Sequence, residues 1–283
     1  MDSRFRGNDD RIFHVIEGQS VSAPTPFELP APAHWRSVDF ISDLHLHAGE
    51  PAAAQAWQRY LLSTPADAVF ILGDLFDVWA GDDAARPGDS FAFHCGQVLR
   101  AAAARTAVYF MHGNRDFLVG PAFLQQAQAR MLPDPTVLAF AGARWLLSHG
   151  DALCLADTEY QQFRALVRSA PWQAQLLARP LAEREAIARQ MRERSVQHQH
   201  ADGYQVADID PDAAIAWLRA ARAGTLIHGH THHPVEHALA GSGNPPLRRV
   251  VLADWHMQDG HLRAQVLRLD ADGLLQRLPL AQA

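Results

Sequence analysis

The sequence predicts an α/β fold, on three observations. Short apolar runs of about five residues recur along the chain, with helix-type segments between most of them. Five of these runs stop abruptly at Gly, Asp, Asn or His instead of fading into polar sequence. One long stretch, residues 155–210, carries helical spacing without strand-type runs. Alternation of this kind favours a largely parallel sheet covered by helices, with a helical insertion.

The bulk properties narrow the class. The chain has 283 residues, enough for one large domain with an insertion. Hydrophobic content of 48% and charged content of 20% are ordinary for a soluble globular chain. The formal net charge of −6 provides no basic field for nucleic acid, so no nucleic-acid partner is expected. Cys95 and Cys154 are the two cysteines, with no paired spacing, which argues against a disulfide framework or a Cys-based zinc site and fits a reducing cytosol. Sixteen histidines is a high count, and several sit beside Gly or Asp at the ends of apolar runs. No apolar run approaches the 18 residues of a membrane span. Residues 1–34 carry no secretory h-region, and Pro24, Pro26, Pro30 and Pro32 crowd into a short stretch. They are expected to be a disordered lead-in, with the domain covering 35–283 and beginning near Trp35.

Val38, Phe40 and Ile41 form the first apolar run, ending in Ser42-Asp43-Leu44-His45. Residues two apart on an extended chain share a side, so Asp43 and His45 are expected to point together. Pro51 opens a helix over 52–62 with Trp57, Tyr60 and Leu61 on one face. Ala68 to Leu72 is continuously apolar, as in a strand buried on both faces, and ends in Gly73-Asp74. A helix over 90–104 leads to a strand over 107–111, which ends in His112-Gly113-Asn114-Arg115-Asp116. After a helical piece near Phe123, residues 136–140 and 144–147 flank Ala141-Gly142 as a hairpin, ending in Ser148-His149-Gly150.

Within 155–210, Tyr160, Phe163, Leu166 and Val167 have helical spacing behind Asp157 as N-cap, and a second helix is expected over 183–194. Seven arginines against five acidic residues over 155–200 make it net positive inside an acidic protein. It reads either as a lid over the polar ends of the strands or as a surface hairpin with solvated arginines. Asp210-Pro211 then caps a helix to Arg222. Strands follow at 225–227, ending in His228-Gly229-His230-Thr231-His232, at 249–252, and last at 262–269.

Five runs thus end in metal-type residues: Asp43 with His45, Asp74, Asn114, His149, and His228 with His230. In open α/β sheets ligands collect at the carboxyl ends of the strands, so all seven side chains are expected to converge. Gly73, Gly113, Gly150 and Gly229 sit where the chain must turn beside them. Four imidazoles, two carboxylates and one amide exceed what one ion needs. They suit two divalent ions about 3.5–4 Å apart, with Asp74 the natural bridge. Mixed N/O ligation suits Mn²⁺, with Fe, Co or Zn left open. His112 and His232 are expected to serve only as orienting groups.

These motifs resemble the calcineurin-like metallophosphoesterase superfamily. Ile41-Ser42-Asp43-Leu44-His45-Leu46, Trp79-x-Gly81-Asp82-Asp83, Gly113-Asn114-Arg115-Asp116-Phe117-Leu118 and His149-Gly150-Asp151-x-Leu153-Cys154 further resemble its UDP-2,3-diacylglucosamine diphosphatase branch, over about residues 37–256. The resemblance implies a four-layer sandwich, two sheets between helices, with the helical lid at about 155–210. It implies one metal site from Asp43, His45, Asp74 and His230, and a second from Asp74, Asn114, His149 and His228. Asp74, Asn114 and Arg115 would be catalytic. Substrate contacts would fall on Asn114, Arg115, Asp157, Ser195, Gln199 and His228. Asp202 aligns where the branch carries a Lys and cannot replace that cation. The implied reaction is hydrolysis of an acylated UDP-sugar to UMP and 2,3-diacylglucosamine 1-phosphate in lipid A biosynthesis. It would take place at the cytoplasmic face of the inner membrane, by a peripherally bound enzyme needing no protein partner. Tyr160, Phe163, Val167, Trp172, Leu176 and Leu177 either line an acyl groove or pack the lid. The competing reading is another dinuclear phosphoesterase, acting on cyclic nucleotides or other nucleotide diphosphates.

Overall fold

The computed structural model describes residues 23–88, 90–199, 207–258 and 261–283. In chain order the first half holds β1 (Phe27–Pro30), β2 (Ser37–Ile41), α1 (Pro51–Ser63), β3 (Ala68–Leu72), α2 (Phe91–Ala103), β4 (Ala107–Met111), α3 (Pro121–Ala127), β5 (Arg130–Met131), β6 (Thr136–Phe140) and β7 (Ala143–Ser148). Three helices follow without an intervening strand: α4 (Thr158–Val167), α5 (Ala170–Leu177) and α6 (Leu181–Gln199). The chain then forms α7 (Pro211–Ala221), β8 (Thr225–His228), β9 (Glu236–Ala238), β10 (Arg248–Val251), β11 (His256–Gln258), β12 (His261–Arg263), β13 (Gln265–Asp270) and β14 (Leu275–Pro279).

Local chemistry sets the helix ends. Ser90 accepts the Phe93 amide at 3.1 Å, Asp157 that of Tyr160 at 2.9 Å, and Asp210 that of Ala213 at 2.8 Å. Each satisfies an amide that lacks an intrahelical partner. Pro51, Pro121, Pro171 and Pro211 all sit in first turns, where the missing N–H costs nothing.

Two six-stranded sheets result, in the orders β1-β6-β7-β8-β10-β9 and β14-β13-β2-β3-β4-β5. They pack face to face through Val38, Phe40, Phe70, Leu72, Tyr109 and Met111 from one, and Leu138, Phe140, Trp145, Leu147, Ile227 and Val250 from the other. The alternate residues face outward. Ile41, Val69, Ile71 and Phe110 meet Trp57, Leu61, Leu99 and Phe123 of the first helices. Val137, Leu146 and Leu226 meet Ala214, Trp217 and Leu218 of α7. The layering is helix, sheet, sheet, helix, and the continuously apolar strand sequences follow from burial on both faces.

Two expectations change. Residues 1–34 are not all lead-in, because Phe27–Pro30 pairs in parallel with Thr136–Ala139 as the edge of its sheet. An edge strand needs partners on one side only, so Pro30 is tolerated at its end. The single strand expected over 262–269 is broken at Ala264, and β14 adds an edge strand that was not foreseen. Its pattern, Leu-Gln-Arg-Leu-Pro, is half-exposed and has no apolar run to mark it.

One polar cluster is buried beneath α1. Asp39 accepts from Arg268 Nε at 2.7 Å and Nη2 at 2.8 Å, from Thr64 Oγ1 at 2.8 Å and from Tyr60 Oη at 3.0 Å. It ties β2, β13 and α1 together. Removing the guanidinium by Arg268→Ala leaves the carboxylate buried and uncompensated. Urea unfolding should show a loss of about 3–5 kcal/mol.

Candidate metal centre

β2, β3, β4, β7 and β8 end on one side of the sandwich, and the expected side chains leave from just beyond those ends. The chain cannot continue extended there. Asp43, His45, Asp74, His230 and His232 all have left-handed backbones, with φ between 47° and 67°. The extended Asp-x-His geometry expected for Asp43 and His45 therefore does not hold, and a tight loop brings both side chains to the site. Strain of this kind persists only where surrounding structure enforces it, and it collects at functional sites. Two glycines allow the loops to meet. A Cβ at Gly229 would overlap Asp43 and Ser42, and one at Gly113 would overlap Asp74.

The donors fall into two adjoining groups. Asp43, His45 and His232 bring ligand atoms within 4.8 Å of one another, and so do Asp43, Asp74 and His149. Asn114 joins the second group, its Oδ1 lying 2.9 Å from both His149 Nε2 and His230 Nδ1. His45 Nδ1 is buried without a partner, as a waiting metal donor would be. Asp43, His45, Asp74, Asn114, His149, His230 and His232 can thus hold two divalent ions, each site with mixed carboxylate, imidazole or amide donors.

His228 lies outside both donor groups, but its Nε2 is buried without a partner, as His45 Nδ1 is. It is the last residue of β8, two beyond Leu226, and so shares the face that packs on α7. Its Nδ1 lies 2.8 Å from the Gly229 carbonyl, and it does not line the cavity described below. His232, expected only as an orienting group, lies against Asp43, with Nε2 at 3.2 Å. In the sequence all three histidines alternate alike, and only the left-handed turn after the strand separates them.

Burial and crowded charge shift these groups in different directions. Burial would raise the Asp43 carboxyl, but the imidazoles of His232, His149 and His45 outweigh it and hold it well below the usual range. Burial pushes Asp74 up, helped by the charge on Asp43. Burial takes His45 and His230 down to about 3, leaving neutral rings with lone pairs to donate. His149 is also buried, but Asp74 and Asp43 beside it raise it to about 9.

Carboxylates outside the donor set hold the loops in place. Asp116 accepts the amides of Gly113 at 2.9 Å, Leu75 at 2.7 Å, and Asp74 and Phe76 at 3.3 Å, locking the third metal loop to the second. Burial, with Asp74 nearby, raises it to about 7. Asp151, fully buried, accepts Arg164 Nε at 2.7 Å, Tyr160 Oη at 2.7 Å and Arg168 Nη2 at 3.3 Å. Arg168 also donates to the Gly113 carbonyl at 3.0 Å, so α4 is pinned to two metal loops. Asp116 lies within a motif that the sequence displays. The Arg164–Arg168 spacing was visible too, but its buried target was not.

A cavity of about 460 Å³ opens from this centre under the three inserted helices. Asn114, Arg115, Asp157, His230 and Thr231 line its polar end, and Phe163, Trp172, Leu176, Ile187 and Met191 the apolar remainder. Arg115 is placed there by its own amide, which donates to Asp74 Oδ1 at 2.8 Å. Of the residues expected in an acyl groove, Tyr160, Phe163, Trp172 and Leu176 line the cavity. Val167 is buried in packing and Leu177 is exposed outside it. The side chains of Ser195 and Gln199, and the whole of Asp202, lie outside the described residues.

Residues 36–234 match the calcineurin-like phosphoesterase family. The chain belongs to this family. It is also 42% identical to a UDP-2,3-diacylglucosamine hydrolase of Cellvibrio japonicus, over 81% of this chain and 95% of that one. Proteins of the same name from Xanthomonas oryzae pv. oryzae (44% identical, 83% and 96% covered) and Chromobacterium violaceum (43%, 86% and 99%) are similar over comparable lengths. The family is one of metal-dependent hydrolases, which agrees with a donor cluster built wholly from loops that follow parallel strands.

Calorimetric titration of the metal-free protein with Mn²⁺ separates the two histidines. Replacing a histidine that holds an ion, as His232→Ala or His228→Ala, should lose at least one ion or weaken it about 10-fold or more; a variant that keeps the wild-type stoichiometry would remove that histidine from the donor set.

Proposed function

We propose that this chain hydrolyses the diphosphate of UDP-2,3-diacylglucosamine, giving UMP and 2,3-diacylglucosamine 1-phosphate, a step of lipid A biosynthesis. The observation that carries this is the single cavity joining the Asn114–Arg115–His230 end to the apolar Phe163–Trp172–Leu176 end. A diphosphate beside the donors and an acyl chain beneath the helices need that division of polarity. The relatives that match over most of their length bear the corresponding name.

Divalent ions held there, for which the mixed N/O donor set suits Mn²⁺, would supply Lewis acidity and lower the pKa of nearby water. The protein's own groups do the rest. Arg115 presents a forked guanidinium that holds phosphoryl oxygens bidentately as charge builds on them. Asn114 contributes its amide, and Asp157 lines the same end of the cavity. Water oxygen ends on one phosphorus, and the bridging oxygen leaves with the other. Ser195 and Gln199, on α6, are candidate contacts to the sugar or nucleotide. The inserted helices exclude solvent from the reacting diphosphate, as a lid does.

Phe163 and Leu166 on α4 and Leu177 on α5 are exposed. Among the described residues no helix is long and apolar enough to cross a membrane. Contact with lipid would then be peripheral, at the cytoplasmic face of the inner membrane, where the acylated substrate resides.

The decisive assay follows UMP release with UDP-2,3-diacylglucosamine beside UDP-glucose, in Mn²⁺ and in chelator. Release should require the acylated substrate and the metal. Asp74→Ala should abolish it, and Arg115→Ala should lower kcat about 10²–10³-fold. Phe163→Ser should raise KM for the acylated substrate more than for a deacylated analogue. Equal effects would limit Phe163 to lid packing.

A further inference from the structure

The strand β10 leads into Ala253-Asp254-Trp255, and Trp255 donates its amide to the Asp43 carbonyl at 3.0 Å. That bond fixes the chain beside the donor cluster and places Asp254 behind His232. The Asp254 side chain is 10% exposed, and its Oδ1 has no partner. Its Oδ2 lies 3.8 Å from His232 Nδ1 and 2.7 Å from His256 Nδ1. Arg263 Nε, at 3.9 Å from Oδ1, is the one other cation beside it among the described residues.

His232 faces two ways. Nε2 is directed at Asp43, 3.2 Å away, within the group that also contains His45. An imidazole that gives Nε2 to an ion must carry its proton on Nδ1, and that N–H needs an acceptor that fixes the ring. Asp254 is the carboxylate nearest to Nδ1, at 3.8 Å, and closes to a hydrogen bond with a small turn of the ring. The ring is 40% exposed, so packing alone does not hold it. His256, from β11, lies on the other side of Asp254, its Nδ1 2.7 Å from Oδ2.

We infer that Asp254 is a positioning residue of the metal centre, orienting His232 toward the ion shared with Asp43 and His45, with His256 on its other side. It touches neither substrate nor reacting atoms. The inference rests on the two-ion reading of the donor cluster and adds to it a carboxylate outside the expected ligand set.

The test measures Mn²⁺ binding to metal-free protein by competition with a chromogenic chelator, for wild type, Asp254→Asn, Asp254→Ala and His256→Ala. Thermal melts of the metal-free forms run alongside. The weaker of the two wild-type sites, or both, should lose about 10–100-fold in affinity in Asp254→Ala. Asp254→Asn, which keeps an acceptor oxygen and the shape, should lose less, and His256→Ala less again. The Co²⁺-loaded visible spectrum should shift in Asp254→Ala, a change that a destabilised but correctly ligated site would not produce. Affinities within twofold of wild type in both Asp254 variants, with wild type binding two ions, would overturn the inference and leave the metal reading intact. A wild-type protein that binds no ion would overturn both.

Discussion

The structure depends on accommodating several carboxylates buried close together. Asp43, Asp74, Asp116 and Asp151 are all buried at the carboxyl end of the sheets. An isolated buried carboxylate is costly, so each must be matched by positive charge or by aligned N–H groups. Asp151 is matched by two arginines from α4, and Asp116 by four backbone amides. Asp43 and Asp74 lie together in one group with His149. That pair of neighbouring carboxylates, ringed by imidazoles, is the feature a divalent cation satisfies best.

The architecture follows from the same requirement. Parallel strands deliver their loops to one side, and the two sheets pack so that both sets of loops face each other. Asp43, Asp74 and Asn114 come from one sheet, and His149, His230 and His232 from the other. Neither sheet carries a complete donor set. The apolar core between them is therefore also the spacer that sets donor distances.

The inserted helices are joined to this frame by buried arginines. Arg164 and Arg168 meet Asp151 and the Gly113 carbonyl from α4. Arg184 of α6 reaches Asp83 and the Ala80 carbonyl. The positive surplus between residues 155 and 200 is thus only partly solvated: four of its seven arginines, Arg164, Arg168, Arg184 and Arg192, pair with acidic residues of the frame. Of the two readings open for this stretch, a free surface hairpin would leave those guanidinium groups in water. The contacts instead hold helices whose Phe163, Trp172, Leu176, Ile187 and Met191 line the cavity.

Much of this was legible in the residues themselves. Apolar runs that stop at Asp, Asn or His identify parallel strands and their polar ends, because burial on both faces leaves no alternation to confuse them. Caps at Ser90, Asp157 and Asp210 are local chemistry, and so is the turn at Ala141-Gly142. What the sequence by itself could not determine is direction beyond the strand ends. His228, His230 and His232 are equivalent by spacing, and only the left-handed backbone at His230 and His232, beside Asp43, sets those two apart from the third. The edge strands at Phe27–Pro30 and Leu275–Pro279 were hidden for a related reason. Half-exposed strands carry little apolar signal, and what holds them is a row of backbone hydrogen bonds to a neighbour far away in sequence.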